Sequence, residues 1–145
     1  MLAPDRALDD SGVVLHLGTL ALFDAIAVLA PPQTPMHIIP PDGLAVDGGR
    51  VATIRATQAV VRPGDVPEWA VLSIDLAAGV SSSDPGDRPD QTSLLEEGFG
   101  EVTSAEVLTH VSRHLLSWVD VWLQDGDAAL AQAVALRSTM RTLAA

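Results

Sequence analysis

Four residue types are absent from this 145-residue chain: Cys, Tyr, Asn and Lys. Without Cys there is no disulfide framework, thiol nucleophile, Cys-ligated zinc or Fe–S cluster. Without Lys there is no Schiff base, phosphate-loop lysine or lysine acid/base. Without Asn there is no Asn-x-Ser/Thr glycosylation acceptor. Aromatics are scarce at 3%, and all eight basic residues are Arg. Against them stand 19 acidic residues, for a net charge of −11. Such a balance repels phosphate backbones and anionic lipid, so neither nucleic acid nor a membrane surface is an expected partner. The first ten residues carry Asp5, Asp9 and Asp10 and no apolar run, unlike a signal peptide. The longest apolar stretch, Leu20 to Leu29, is broken by Asp24 and falls short of the roughly 20 residues of a membrane helix. A cytoplasmic protein is expected.

What is present is enough for one domain, residues 1–145, with 48% apolar residues to build a core. Asp10 and Ser11 precede an Ala-rich apolar span, Val13 to Ala30, closed by Pro31-Pro32. One helix is favoured there; the competing reading is a strand Val13–Leu17, a break at Gly18 and then a helix. Met36–Ile39 reads as a buried strand. Leu44–Val46 and Val51–Ala56 read as a hairpin about Asp47-Gly48-Gly49, where glycine supplies the positive φ of a tight turn. Trp69–Leu76 alternates Val71, Ser73 and Asp75 against Leu72, Ile74 and Leu76. Residues 81–92 hold three Ser, two Pro and three Asp, and read as a flexible acidic loop. Thr103 or Ser104 then caps a helix with Leu108, Val111, Leu115, Trp118, Val119 and Trp122 on its inward stripe. A last helix, capped by Asp127, is expected to reach Leu143 with Leu136, Met140 and Leu143 inward. The order gives an α+β domain with helices on one face of a sheet.

No catalytic motif stands out. Glu106, His110 and His114 lie four apart on one helix, as metal ligands would, but the plainer reading is a solvated polar face. His16 and His37 sit singly among apolar neighbours, the pattern of a packed histidine. Asp84, Asp87 and Asp90 recur every third residue, without the closer spacing, glycine and terminal Glu of a calcium loop. No metal site is expected. Trp118 and Trp122 at helical spacing read as core.

The order of segments resembles the later half of the catalytic domain of the biotin protein ligase and lipoate protein ligase family, in a divergent bacterial branch. There a helix leads into a strand ending Trp-Pro-Asn-Asp, then a hairpin with Gly-Arg-Lys-Val-Ala-Gly-Ile. Ile39-Pro40-Pro41-Asp42 and Gly49-Arg50-Val51-Ala52-Thr53-Ile54 take those places here. The family strand Val-Ile-Gly-Ile-Gly-Ile-Asn corresponds to Val71-Leu72-Ser73-Ile74-Asp75-Leu76, and its Thr-Ser-Leu with acidic residues to Thr92-Ser93-Leu94-Leu95-Glu96-Glu97. The resemblance implies a mixed β-sheet with helices packed on it, a partial class II synthetase-like domain. It also implies that Asp42, Arg50, Thr53 and Asp75 stand where the family binds its acyl-adenylate.

The departures are chemical. Arg50 stands nearest the family's hairpin lysine, and a planar guanidinium does not replace a compact ammonium. Thr53 stands where the family has glycine; Pro41 and Asp75 stand where it has asparagine. A carboxylate at Asp75 opposes ATP phosphates unless a metal intervenes. The family's first half, with its Gly- and Arg-rich loop, is not expected in this chain. The expectation is therefore a degenerate, non-catalytic ligase-like domain acting as an accessory or assembly subunit, bound to a protein partner or to itself. Two alternatives stay open. One is half of a split biotinyl or lipoyl ligase using ATP with biotin or lipoate; the other is a module that binds a biotin-like or acyl ligand without chemistry.

Overall fold

The structure, a computed structural model, describes residues 12–59, 62, 65–79, 90–139 and 141–142. Helix α1 (Gly12–Leu29) is followed by strands β1 (Pro35–Ile39), β2 (Gly43–Val46), β3 (Gly49–Gln58) and β4 (Ala70–Leu76). Helices α2 (Ser104–Asp125) and α3 (Asp127–Arg137) and a short strand β5 (Arg141–Thr142) complete the order. The sheet runs β4-β3-β2-β1-β5. The α+β class with helices on the sheet is as the sequence implies, with one difference of detail. Among the described residues every strand pair is antiparallel, and the one parallel element is an isolated bridge between Arg50 and Gln91. Short connections between β1, β2 and β3 permit only antiparallel neighbours.

The hairpin forms as its turn residues require. Asp47 and Gly48 both take positive φ, 50° and 83°, the pattern of the primed turn that matches strand twist. One irregularity follows. Leu44 pairs with Ala52 but Ala45 with Arg50, so Val51 is an extra residue in β3. The bulge lets Arg50 and Thr53, three apart, serve the same side of the sheet.

Helix α1 is one continuous helix, and Gly18 does not break it. A Cβ at Gly18 would meet Leu72 Cδ2 at 2.6 Å, so its lack of a side chain lets the helix lie close on β3 and β4. The sheet covers one side of α1, and α2 and α3 cover the other. A helix buried all round must be apolar all round. This corrects the expectation from the shorter run Leu20–Leu29. Residues Gly12–Leu29 are long and apolar enough to cross a membrane, with mean hydropathy 2.0, yet 61% of that span is buried inside the domain. The core joins Leu20, Leu22 and Ile26 of α1 to Met36, Ile38, Leu44, Val46 and Ile54 of the sheet, with Leu94 and Leu130 from later segments.

Two expectations for the helices are corrected. Leu108 does not face inward; it is 66% exposed. Val111 and Trp122 are buried and Leu115, Trp118 and Val119 half-buried as expected, and in the first turns Val107 takes the inward place instead of Leu108. Helix α3 ends at Arg137, not Leu143, and Leu136 is 51% exposed. Its inward residues are Leu130, Ala133 and Val134, and the chain leaves the helix so that residues 141–142 can pair with β1. The cap is Gly126 rather than Asp127, which is the first helical residue. Met140 and Leu143 lie outside the described residues, as do residues 81–89 of the acidic loop.

Candidate functional site

The two faces of the sheet differ in kind. Met36, Ile38, Leu44, Ala52 and Ile54 point to the helices and are buried. The outer face carries the polar side chains, positioned by register. Thr53 pairs with Gly43 on one side and with Asp75 on the other, so these three positions form one row across β2, β3 and β4. Arg50 opposes Ala45, which opposes His37, forming the next row.

The four positions implied by the resemblance come together here. The guanidinium of Arg50 lies across the strand onto Gly43: a Cβ there would meet its Nη1 at 2.5 Å and its Cζ at 2.7 Å. Arg50 Nη1 donates to Thr53 Oγ1 at 3.2 Å and lies 3.7 Å from Asp42 Oδ1. Asp42 is held in the β1–β2 connection, where its carbonyl accepts the backbone N–H of Ile54 at 2.7 Å. Asp75 enters from β4.

A further wall comes from the segment that ends at Thr92, the start of the family's Thr-Ser-Leu match. The backbone N–H of Arg50 donates to the carbonyl of Asp90 at 2.9 Å, and that of Thr92 to the carbonyl of Arg50 at 3.0 Å. Residues 90–92 thus run beside β3. Thr92 packs against Gly49, where a Cβ would meet its Cγ2 at 2.8 Å, and its hydroxyl donates to Glu97 Oε1 at 2.7 Å. The result is an open cleft of about 370 Å³, lined by Arg50, Thr53, Asp75, Gln91 and Thr92 among others. That volume is in the range of small-molecule sites. Arg50 is the one cation among its lining residues. Gly43 and Thr92 shape the cleft although neither bears a chemical motif. The clue in the sequence was the match of Thr92-Ser93-Leu94 to the family's Thr-Ser-Leu segment; nothing in it singled out Gly43.

The remaining candidates are placed otherwise. Glu106 serves the start of α2: Thr103 Oγ1 accepts the N–H of Glu106, and the Glu106 carboxylate accepts the N–H of Thr103 at 2.9 Å. This capping box removes it from any trio with the histidines. No group of metal-ligating side chains exists among the described residues. His114 is not on a solvated face, because its Nδ1 lies 4.0 Å from Asp24 Oδ2. His37 sits on the outer sheet face with Nδ1 buried and without a hydrogen-bond partner among the described residues.

In the sequence Asp24 interrupts an apolar run. It is the hub of the helical layer. Its Oδ2 accepts Trp118 Nε1 at 2.8 Å, and its Oδ1 lies 3.5 Å from Arg137 Nε. The Arg137 guanidinium stacks at 5.1 Å from the Trp118 ring centre and 5.6 Å from that of Phe23. Trp122 Nε1 donates to Asp127 Oδ1 at 2.6 Å, tying α2 to the start of α3. Both tryptophans are thus parts of the helix packing, clear of the cleft.

Against known proteins, the model of the Biotin/lipoate A/B protein ligase family matches residues 1–135. No curated protein matches. Among solved structures the chain is similar to a biotin protein ligase-like protein of unknown function from Silicibacter sp. TM1040. The TM-score is 0.78 at 26% identity, covering 94% of this chain and 59% of that one. It is also similar to apo biotin protein ligase from Aquifex aeolicus, with TM-score 0.68 and 10% identity over 87% of this chain and 53% of that one. A mutant of the same ligase in complex with biotin gives 0.69 and 13%, over 92% and 53%. The chain therefore spans little more than half the length of these relatives.

Proposed function

This chain belongs to the biotin/lipoate A/B protein ligase family, and from that membership we propose that it is a ligase-like domain which forms no acyl-adenylate and works as an accessory or assembly subunit by binding another polypeptide. The observation that carries this reading is the state of Arg50. Among the described residues the one cation lining the cleft is engaged by its own chain, with Asp42 at 3.7 Å and the Thr53 hydroxyl at 3.2 Å, and it covers the sheet surface at Gly43. An acyl-phosphate would have to compete with Asp42 and Thr53 for the Arg50 Nη1 group. Asp75, across the row from Thr53, adds a carboxylate where a polyphosphate would need positive charge. The net charge of −11 supports a role away from nucleic acid and anionic membrane, in the cytoplasm.

The test is acid-dependent pyrophosphate exchange with ATP, using biotin and then lipoate. No exchange above a heat-killed control is expected. Clear exchange with either acid overturns the reading and favours half of a split ligase, with Asp42 and Arg50 in the site.

One observation favours a second reading, a small-acid binding module: the cleft is open, and Arg50, Thr53 and Gln91 line it with side chains that can donate to a carboxylate. Binding that saturates the folded state raises stability by about 2.7 kcal/mol at a hundredfold excess over Kd. A rise in thermal midpoint with biotin or lipoate, lost in Arg50→Ala, would establish it.

A further inference from the structure

Helix α2 presents a second apolar line to solvent. Leu116 is 73% exposed, Leu108 66% and Leu123 38%. Successive residues of a helix turn by about 100° and rise by about 1.5 Å. On that geometry Ala105, Leu108, Ser112, Leu116 and Leu123 share one side, with no charge among them. The line adjoins an apolar groove of about 300 Å³ between α2 and the edge strand β4, lined by Leu108 and Val111 on one side and by Ile74 and Leu76 on the other. Such exposed leucines joined to an apolar groove are candidates for a contact surface, and the charges beside them decide the question.

The charges beside the line say what it contacts. Arg113 lies three residues before Leu116 and Asp120 four after it, and both fall on the same flank, about 20° apart. The Arg113 guanidinium has no ion-pair partner among the described residues. Asp120 accepts only Gln124 Nε2, at 3.0 Å, and keeps a free carboxylate oxygen among those residues. When two such helices pack antiparallel about a two-fold axis at Leu116, each flank meets the same flank of its copy. Arg113 stands about 4.5 Å to one side of the axis and Asp120 about 6 Å to the other. The operation brings Arg113 to within about 1.5 Å in height of Asp120 of the second copy, twice by symmetry. It also sets Leu108 beside Leu123 and Leu116 against itself. A different protein would need no such palindrome of leucine and charge.

We propose that this stripe is the interface between two copies of the chain, packed antiparallel about Leu116. The proposal names the partner for the association role given above and rests on that reading. The net charge of −11 opposes pairing of copies at long range, so the contact depends on these local pairs and on the apolar line. Any other occupant, including a polypeptide that completes the domain of the longer relatives, becomes an outcome of the test.

The chain has no cysteine, so a single one can be placed cleanly. Leu116→Cys should form a disulfide-linked dimer under oxidised glutathione at micromolar protein, much faster than Gln132→Cys on the exposed side of α3. In sedimentation, Arg113→Asp should weaken the dimer roughly tenfold, by setting carboxylate against carboxylate at both ends. The exchange Arg113→Asp with Asp120→Arg should restore it. Circular dichroism checks that each variant is folded. A monomeric parent chain, equal cross-linking of the two cysteine variants, or no rescue by the charge exchange overturns the proposal. A monomer without pyrophosphate exchange overturns the dimer and leaves the non-catalytic reading standing. A dimer that exchanges pyrophosphate upholds the interface and overturns that reading.

Discussion

A carboxylate in the middle of an apolar helix is costly unless it is paired, and Asp24 is paired three ways. It accepts the Trp118 indole N–H, faces Arg137 at 3.5 Å and lies 4.0 Å from His114. Removing one partner from a largely buried polar group leaves the others unsatisfied, at about 1–3 kcal/mol. Asp24→Ala should therefore lower the stability by about 2–3 kcal/mol in urea titration, while Trp118→Phe, which keeps the ring and loses the N–H, should lower it by about 1 kcal/mol. If Asp24→Ala were neutral, the hub would contribute nothing net and the apolar packing alone would hold α2 on α1. This arrangement was not legible in the sequence. Asp24 and Trp118 are 94 residues apart, and only the stacking of α1, α2 and α3 brings them together. Arg50, Thr53 and Asp75 were legible as positions because each sits in a recognisable strand or turn. The reach of Arg50 to Thr53 and Asp42 was not, since it depends on the extra residue Val51 and the bare backbone of Gly43.

At the scale of elements, signals that act within a few residues were readable and signals that depend on packing were not. The hairpin at Asp47-Gly48, the cap at Thr103 and the stop at Pro31 are local chemistry, and the structure has them where the residues stand. The inward face of α2 was misplaced by one residue at Leu108, because periodicity gives a stripe but not which neighbour it will meet. The end of α3 was missed because the chain gains pairing with β1, a partner about 100 residues away in sequence. Two substitutions separate local from packed contributions. Thr103→Ala removes the capping box and should cost about 1 kcal/mol. Gly126 joins α2 to α3 at φ 83° and ψ −176°, a region open essentially to glycine, so Gly126→Ala should cost about 1–3 kcal/mol. Chemical denaturation of each variant measures both. A smaller loss for Gly126→Ala than for Thr103→Ala would mean that the α2–α3 junction relaxes and does not fix the angle between the helices.

The whole molecule sets one strong long-range term against its core, which is charge. Nineteen acidic residues face eight arginines. The described ion pairs account for only Arg50 and Arg137 of those arginines, with Asp42 and Asp24. Most of the negative charge is therefore unpaired among the described residues, and the compact state brings like charges closer than the unfolded chain does. Salt shortens the reach of that repulsion, from about 30 Å at about 0.01 M to about 3 Å at about 1 M. It also weakens the two ion pairs, but Asp24 and Arg137 are largely buried and so are screened least. The repulsive term is the larger one, and its loss should stabilise the fold. The thermal midpoint should therefore rise by a few degrees in potassium chloride over this range, since about 1 kcal/mol corresponds to roughly 2–8 °C for domains of this size class. Chloride is the right anion for the measurement, because sulfate or phosphate would strengthen apolar burial by exclusion from the surface. Low protein concentration keeps association from contributing to the midpoint. A midpoint that fell with chloride would place the net stabilising charge in local pairs, and the Asp24–Arg137 contact would then be the first to examine by double substitution.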